Sequence, residues 1–206
     1  LGNKGVIGDG NVQWMTAGSG IIHQEMPKGS ADGSLQGFQL WLNLPAAEKM
    51  SEPRYRDITN EQIPETVTEE DVRLRIISGR YGDVIGPVRG ISMDPHYFDV
   101  NMPPGSHFSF AIDRSYNVIA YLIGGAASFG ETSSTYDNTT LLLFDSGDAF
   151  RCNASESGCR FLLFAGKPLH EPIAWQGPIV MNSDQELQQA FAEYRNGTFL
   201  RHQDRS

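Results

Sequence analysis

His23 and Glu25 are the residues of this sequence whose types and spacing best suit chemistry. They are separated by one residue, and side chains at positions i and i+2 of a β-strand project from the same face. An imidazole and a carboxylate on one inward face can bind a single cation, and these ligands suit Fe, Mn, Co, Ni or Zn better than Ca or Mg. The pattern therefore predicts part of a metal site, although a hydrogen-bonded His–Glu pair without metal would have the same spacing.

Two ligands make an incomplete metal site, because tight binding needs three or four. The other histidines show no His-x-His or His-x-Glu pattern and are interpreted as surface or capping residues: His96, His107, His170 and His202. The sequence therefore contains half of a metal site.

Cys152 and Cys159 are the only two cysteines of the chain. They flank the run Asn-Ala-Ser-Glu-Ser-Gly, which is typical of the tip of a β-hairpin. A cross-strand disulfide would fit that geometry, whereas two reduced thiols would fit an intracellular protein. Both interpretations stay open, and we expect the reduced state together with a location in the cytoplasm or nucleus.

The candidate ligands lie among short segments in which apolar and polar residues alternate, and Gly, Pro, Asn and Asp separate these segments. The alternation predicts strands at 12–16, 21–26, 38–44, 72–76, 98–102, 108–112, 117–123, 140–144, 149–152 and 160–165. The second of these strands would hold both candidate ligands. Many short strands at this spacing indicate a sandwich, a barrel or a jelly roll.

One helix is predicted near the end of the chain. Ser183 and Glu186 form a capping box, apolar residues follow at helical spacing, and Gly197 ends the segment. Between residues 45 and 70, prolines and clustered acidic residues interrupt the strand pattern. We interpret this region as the connection between two β units.

The composition excludes several classes of protein. The 206 residues are 39% hydrophobic and 20% charged, which is typical of a globular fold. A net charge of −9 disfavours direct contact with nucleic acid, because the phosphate backbone would be repelled. No apolar run approaches the ~20 residues that a membrane helix needs.

The sequence resembles the pirin family, within the cupin superfamily, in five segments. They are VQWMTAGSGIIHQEMP at 12–27, GFQLWLNLP at 37–45, EPRYRD at 52–57, AGKPLHEP at 165–172 and GPIVMN at 177–182. The resemblance implies an all-β fold of two cupin jelly-roll barrels, the first incomplete, with a C-terminal helix. The implied domains are the end of a metal-binding barrel at 1–58, a linker at 59–71, and a metal-free barrel at 72–206 that carries the helix 183–196.

The resemblance also implies one mononuclear iron ion, bound in the family by three histidines and one glutamate. His23 and Glu25 match two of these ligands, and the other two would come from a His-x-His ahead of Leu1. The sequence begins without Met, and we expect it to be truncated at the N-terminus. This segment alone is therefore expected to bind iron weakly and to be inactive.

Two functions follow from the resemblance. One is a quercetin 2,3-dioxygenase, which opens a flavonol ring with O2 at the iron, with Glu25 as the base that accepts the flavonol proton. The alternative is a transcriptional co-regulator that senses redox state through its iron and acts through protein–protein contacts. In either case we expect a monomer that binds neither nucleic acid nor a membrane.

Overall fold

The computed structural model describes residues 6–24, 26, 28–29 and 33–201, so Glu25 and His202 lie outside the described residues. The described part is mostly β, with one α-helix, α1 (Asp184–Arg195), and two short 3-10 helices, Ala46–Glu48 and Asn60–Gln62. The strands are β1 (Val12–Thr16), β2 (Arg54–Ile58), β3 (Glu65–Val67), β4 (Arg73–Ser78), β5 (Arg80–Tyr81), β6 (Val84–Ile85), β7 (His96–Met102), β8 (His107–Ala111), β9 (Asn117–Phe129), β10 (Thr135–Asp137), β11 (Leu141–Phe144), β12 (Ala149–Gly166), β13 (Ala174–Gln176) and β14 (Ile179–Met181).

The chain divides into two compact units. The β unit comprises Val6–Trp14 and Asp57–Leu169, and the helix unit comprises Met15–Arg56 together with the residues from His170 onward. Strands β1 and β2 form a separate two-stranded sheet. The implied domains 1–58, 59–71 and 72–206 stay a prediction.

One large antiparallel sheet forms the β unit. Its strands follow the order β10-β9-β12-β7-β4-β3, with β11 also paired to β9 and β8 also paired to β12. Within the described residues the two end strands, β10 and β3, do not pair with each other, so the sheet is open. The 18-residue strand β12 pairs first with β8 and then with β7, and therefore connects both parts of the sheet.

The core of the β unit is aromatic and lies on one face of this sheet. On β7 the buried residues Phe98 and Val100 alternate with residues of the opposite face, as period two requires. The rings of Phe129, Phe150 and Phe161 come from two strands, and their centroids lie 5.6–5.8 Å apart. This packing explains why the alternation in this part of the sequence predicts strands correctly.

The opposite face of the same sheet carries a network of charged side chains around the buried Asp99 carboxylate. The Asp99 carboxylate accepts two hydrogen bonds from Arg160, at 2.9 and 2.8 Å, and one from Arg75 at 3.3 Å. Arg75 also donates to the Gly10 carbonyl and to Asn60 Oδ1, both at 2.7 Å. Through these hydrogen bonds, the segments that contain Gly10 and Asn60 bind to the face of the sheet that lies opposite the aromatic core.

Helix α1 confirms the predicted helix and its cap. The Ser183 hydroxyl accepts a hydrogen bond from the Glu186 backbone N–H, and the Glu186 carboxylate accepts one from the Asn182 backbone N–H. A cap of this kind stabilises a helix by about 1 kcal/mol. Leu187 and Ala190 are the buried residues of the helix, so its apolar face is packed within the helix unit.

Two predicted strands are wrong. No described residue between 17 and 53 belongs to a strand, so neither 38–44 nor the described residues of 21–26 form one, and Glu25 lies outside the described residues. Phe38, Leu40 and Leu42, predicted to share a buried face, are 46%, 42% and 39% exposed. The physical reason is that a strand needs a hydrogen-bonded neighbour, and none runs beside these segments in the described part of the chain.

The region around β12 and the region before β3 also differ from the sequence prediction. The predicted strands 149–152 and 160–165 belong to the single strand β12, so the predicted hairpin tip between the cysteines is wrong. Both cysteines are buried free thiols. The predicted connection 45–70 contains β2 and β3, two short strands whose pattern is interrupted by Pro53 and Pro64.

In the part of the chain described here, no helix is both long and apolar enough to cross a membrane.

Candidate functional site

A tight turn leads into the segment that carries His23. The Ser19 backbone N–H donates to the Ser51 carbonyl at 2.9 Å, and the Gly20 N–H closes the turn onto Ala17 at 2.9 Å. Gly18 has φ +50°, and a Cβ there would collide with the Ser51 carbonyl, so only glycine fits. The start of the segment is therefore anchored within the helix unit.

Of the two predicted ligands, His23 lies within the described residues and Glu25 lies outside them. His23 is exposed and lies in no strand, whereas the prediction placed it on an inward-facing strand. Glu25 lies outside the described residues. The metal-ligand roles of His23 and Glu25, and the role of Glu25 as a base, therefore stay predictions.

The described residues do not make a complete metal site on their own. Among them, no group of three or more His, Cys, Asp or Glu side chains could hold a metal ion. His23 and Glu25 supply a nitrogen and an oxygen, which suit a transition metal. The fit to an iron ion is therefore partial, with two candidate ligands of the three or four required.

Two of the remaining histidines lie on the surface, as predicted. The His107 imidazole is 4.0 Å from the Glu70 carboxylate, with both side chains more than half exposed. His170 is exposed and has φ +53°. Its neighbour Glu171 points elsewhere, accepting hydrogen bonds from the Ala46 backbone N–H at 2.7 Å and from Asn182 at 3.0 Å.

His96 is half-buried, and is therefore less exposed than its predicted role as a surface or capping residue implies. It begins β7, and its ring centroid is 5.7 Å from that of Phe98, 5.4 Å from that of Phe110 and 6.0 Å from that of Tyr116. Burial lowers the pKa of His96, and the nearby Asp94 carboxylate opposes this effect. Its Nδ1 is buried and has no hydrogen-bond partner among the described residues. We therefore describe His96 as a neutral imidazole at pH 7.

An open cavity of about 350 Å³ lies beside His96 in the β unit. Arg80, Arg89 and Asp94 supply its charged groups, while isoleucine and valine side chains supply apolar walls. The Tyr116 hydroxyl donates to Asp94 Oδ2 at 2.6 Å, and burial followed by this hydrogen bond raises the pKa of Tyr116 to about 12. The sequence pattern missed this cavity, because its charged residues are scattered over a turn-rich stretch.

The lowered pKa of His96 predicts a loss of stability at acidic pH. Between the folded and the unfolded pKa, the unfolded chain binds more protons, so the free energy of unfolding falls as the pH drops below about 6.5. His96→Gln is expected to reduce this loss, and thermal melts at pH 7.5 and pH 5.5 would measure it. The matched control is His107→Gln at the exposed histidine. Equal pH dependence for His96→Gln and the unmodified chain would contradict the prediction.

Two family models match this chain. The model described as the Pirin C-terminal cupin domain matches residues 97–200, and the model described as Pirin matches residues 1–42. The first covers the sheet from β7 to β12 and also α1. The second covers the segment with His23 and Glu25. Together they match most of the chain and both of its units.

Similar proteins occur in bacteria and plants. A Pseudomonas aeruginosa protein named "Putative quercetin 2,3-dioxygenase" is 41% identical over 201 residues, which are 96% of this chain and 70% of the relative. Pirin-1 of Arabidopsis thaliana is 40% identical over 200 residues, 95% of this chain and 68% of the relative. A solved quercetin 2,3-dioxygenase from Acinetobacter baumannii matches 92% of this chain and 67% of its own, at 31% identity and a TM-score of 0.81. The chain therefore has a cupin fold and belongs to the pirin family.

Proposed function

We propose that the protein is a quercetin 2,3-dioxygenase-like cupin that uses O2 to open the ring of a flavonol. The observation that carries this proposal is the likeness to the Acinetobacter baumannii enzyme, at 31% identity over 92% of this chain. The P. aeruginosa relative has the same activity in its name. A small aromatic substrate is consistent with both.

The proposal includes a metal ion, and we propose iron. His23 and Glu25 are the residues of this chain that would hold it, and they supply two of its ligands. Because the described residues include no complete ligand set, we derive no reaction step through the metal. The proposed role of Glu25 is to accept the proton of the flavonol hydroxyl, which a carboxylate within hydrogen-bond reach can do.

Replacing His23 tests the proposal. In the full-length protein, His23→Ala is expected to lower turnover of quercetin by at least about 100-fold. Removing even a residue that only supports a metal ligand lowers metal affinity or activity by about 10–100-fold. The assay follows O2 uptake and carbon monoxide release, and the iron content of each sample is measured alongside.

His107→Ala is the matched control, because it removes an exposed imidazole from the β unit. It is expected to keep both its iron and its turnover. Equal turnover by His23→Ala and the unmodified protein would exclude His23 from the site. Absence of turnover in the iron-loaded, unmodified protein would contradict the proposed substrate.

A further inference from the structure

The open cavity beside His96 has no part in the proposed function, and all of the residues that line it belong to the β unit. They come from one stretch of the chain, 78–96, which runs from the end of β4 through β5 and β6 to the start of β7. At about 350 Å³, the cavity falls within the range of roughly 300–1,000 Å³ that is typical of small-molecule sites. It is therefore a candidate binding site of its own.

The backbone around the cavity is held by hydrogen bonds and by one close contact. The Gly86 backbone N–H donates to the Gly79 carbonyl at 2.9 Å, and the Asp94 N–H donates to the Ile91 carbonyl at 2.9 Å. Gly79 has φ +82°, and a Cβ there would lie 2.7 Å from Cδ2 of the His96 ring. Glycine is therefore needed where the chain packs against this imidazole, and the walls of the cavity are fixed by the fold.

The apolar walls of the cavity are formed by Ile85, Val88 and Ile91. Val88 is buried in a small hydrophobic cluster, and Ile91 packs against that cluster. Ile85 and Ile91 are only half-buried, so part of their apolar surface is still in contact with water. A ligand with an apolar body would cover this surface, which is favourable because it removes apolar area from water.

Two arginines, Arg80 and Arg89, supply the positive charge of the cavity. Both residues are exposed, and Arg89 Nε donates to the Gly86 carbonyl at 3.2 Å, which holds this guanidinium group close to the backbone of the cavity. Among the ion pairs of the described residues, none includes Arg80 or Arg89. Both are therefore available to an anion, and the planar guanidinium group matches a carboxylate with two parallel hydrogen bonds.

Asp94 is the acidic residue of the cavity lining. Its carboxylate accepts a hydrogen bond from the Tyr116 hydroxyl at 2.6 Å. Two guanidinium groups, one carboxylate and a neutral His96 leave the cavity with a small net positive charge, in a chain whose net charge is −9. This balance favours a ligand with a single negative charge over a neutral ligand, because opposite charges make a site and its ligand complementary.

We propose that this cavity binds a small organic monocarboxylate that carries an apolar ring. The carboxylate pairs with Arg80 and Arg89, and the ring lies against the apolar walls. A neutral ring of the same shape lacks the ion pair, and an inorganic anion lacks the apolar contact, so each binds more weakly. The proposal depends neither on the dioxygenase activity nor on a metal ion.

Isothermal titration calorimetry with 2-naphthoate tests the site in the full-length protein. We expect 2-naphthoate to bind at least about tenfold more tightly than neutral 2-naphthamide and than inorganic phosphate, since the charged hydrogen bonds and the apolar contact each contribute that much. In NMR spectra, the amide signals that shift are expected to belong to residues 78–96. No binding of 2-naphthoate at millimolar concentration, equal affinity for 2-naphthamide or for phosphate, or shifts confined to other residues would each overturn the proposal.

Arginine variants test the contact with the carboxylate. The double variant Arg80→Ala/Arg89→Ala is expected to weaken the binding of 2-naphthoate at least about tenfold and to leave that of 2-naphthamide unchanged. The matched control is Arg151→Ala, which removes an exposed guanidinium group that pairs with Glu131 in the same unit, and it is expected to bind like the unmodified protein. Unchanged affinity of the double variant for 2-naphthoate would overturn the proposal. Circular dichroism checks that each variant is folded, and the comparison of ligands on the unmodified protein requires no variant.

Discussion

Phe161→Ala is expected to lower the free energy of unfolding of the β unit by about 3–5 kcal/mol. Phe161 is fully buried, and its ring lies 5.6–6.3 Å from those of Phe108, Phe129 and Phe150. Alanine would leave a cavity at the centre of this cluster, which the sheet cannot fill without moving several strands. Whole domains have a free energy of unfolding of only about 5–15 kcal/mol, so this substitution would remove a large part of it.

Guanidinium unfolding followed by circular dichroism would measure this loss. Leu143→Ala on β11 is the matched control, because its side chain is 75% exposed in the same sheet, and it is expected to change stability by no more than about 0.5 kcal/mol. Phe161→Leu, which keeps most of the apolar volume, is expected to fall between the two. If Phe161→Ala and Leu143→Ala unfolded at the same midpoint, this account of the core would be wrong.

Asp99→Asn is expected to cost about 3 kcal/mol of stability. The Asp99 carboxylate is 8% exposed and lies between two guanidinium groups, those of Arg75 and Arg160. The hydrogen bond with Asp99 raises the pKa of Arg160, which favours the charged form of this guanidinium group. Asparagine keeps the shape of the side chain but removes the negative charge between the two guanidinium groups, which leaves only the Glu65 carboxylate, 3.4 Å from Arg75, to offset them.

The control for Asp99→Asn is Asp148→Asn, which breaks an ion pair of similar length on the surface. Asp148 and Arg114 are 2.8 Å apart, but their side chains are 69% and 72% exposed, so water replaces the lost interaction and little stability should change. Urea unfolding of both variants measures the difference. An equal, small effect of the two substitutions would show that the Asp99 network contributes no more than a surface pair.

The sequence predicts the fold best where each strand buries one face and has a neighbour in the described structure. The alternation at 98–102 and 108–112 meets both conditions, and β7 and β8 form there. The alternation at 38–44 is just as regular, but no strand pairs with it in the described part of the chain, and Phe38, Leu40 and Leu42 are exposed. Alternating apolar and polar residues show that a segment could bury one face as a strand. Whether the strand forms also depends on a hydrogen-bonded partner strand, whose residues can lie far away in the sequence.

The sites show the same dependence on long-range pairing. His23 and Glu25 could be named from the sequence because their spacing is local, and their roles stay predictions. The burial of both Cys152 and Cys159 in one core could not be predicted, because it depends on a register shift opposite β9. The Asp99 network joins residues 24 and 61 positions apart, and only the order of strands in the sheet brings them together.

The long strand β12 has a consequence for the synthesis of this protein. It is the common partner of β7, β8 and β9, and β8 pairs with no other strand of the described sheet. On the ribosome, all three earlier strands emerge before the residues that complete their pairing. Until residue 166 has left the exit tunnel, the nascent chain presents unsatisfied strand edges of the kind that chaperones shield from aggregation.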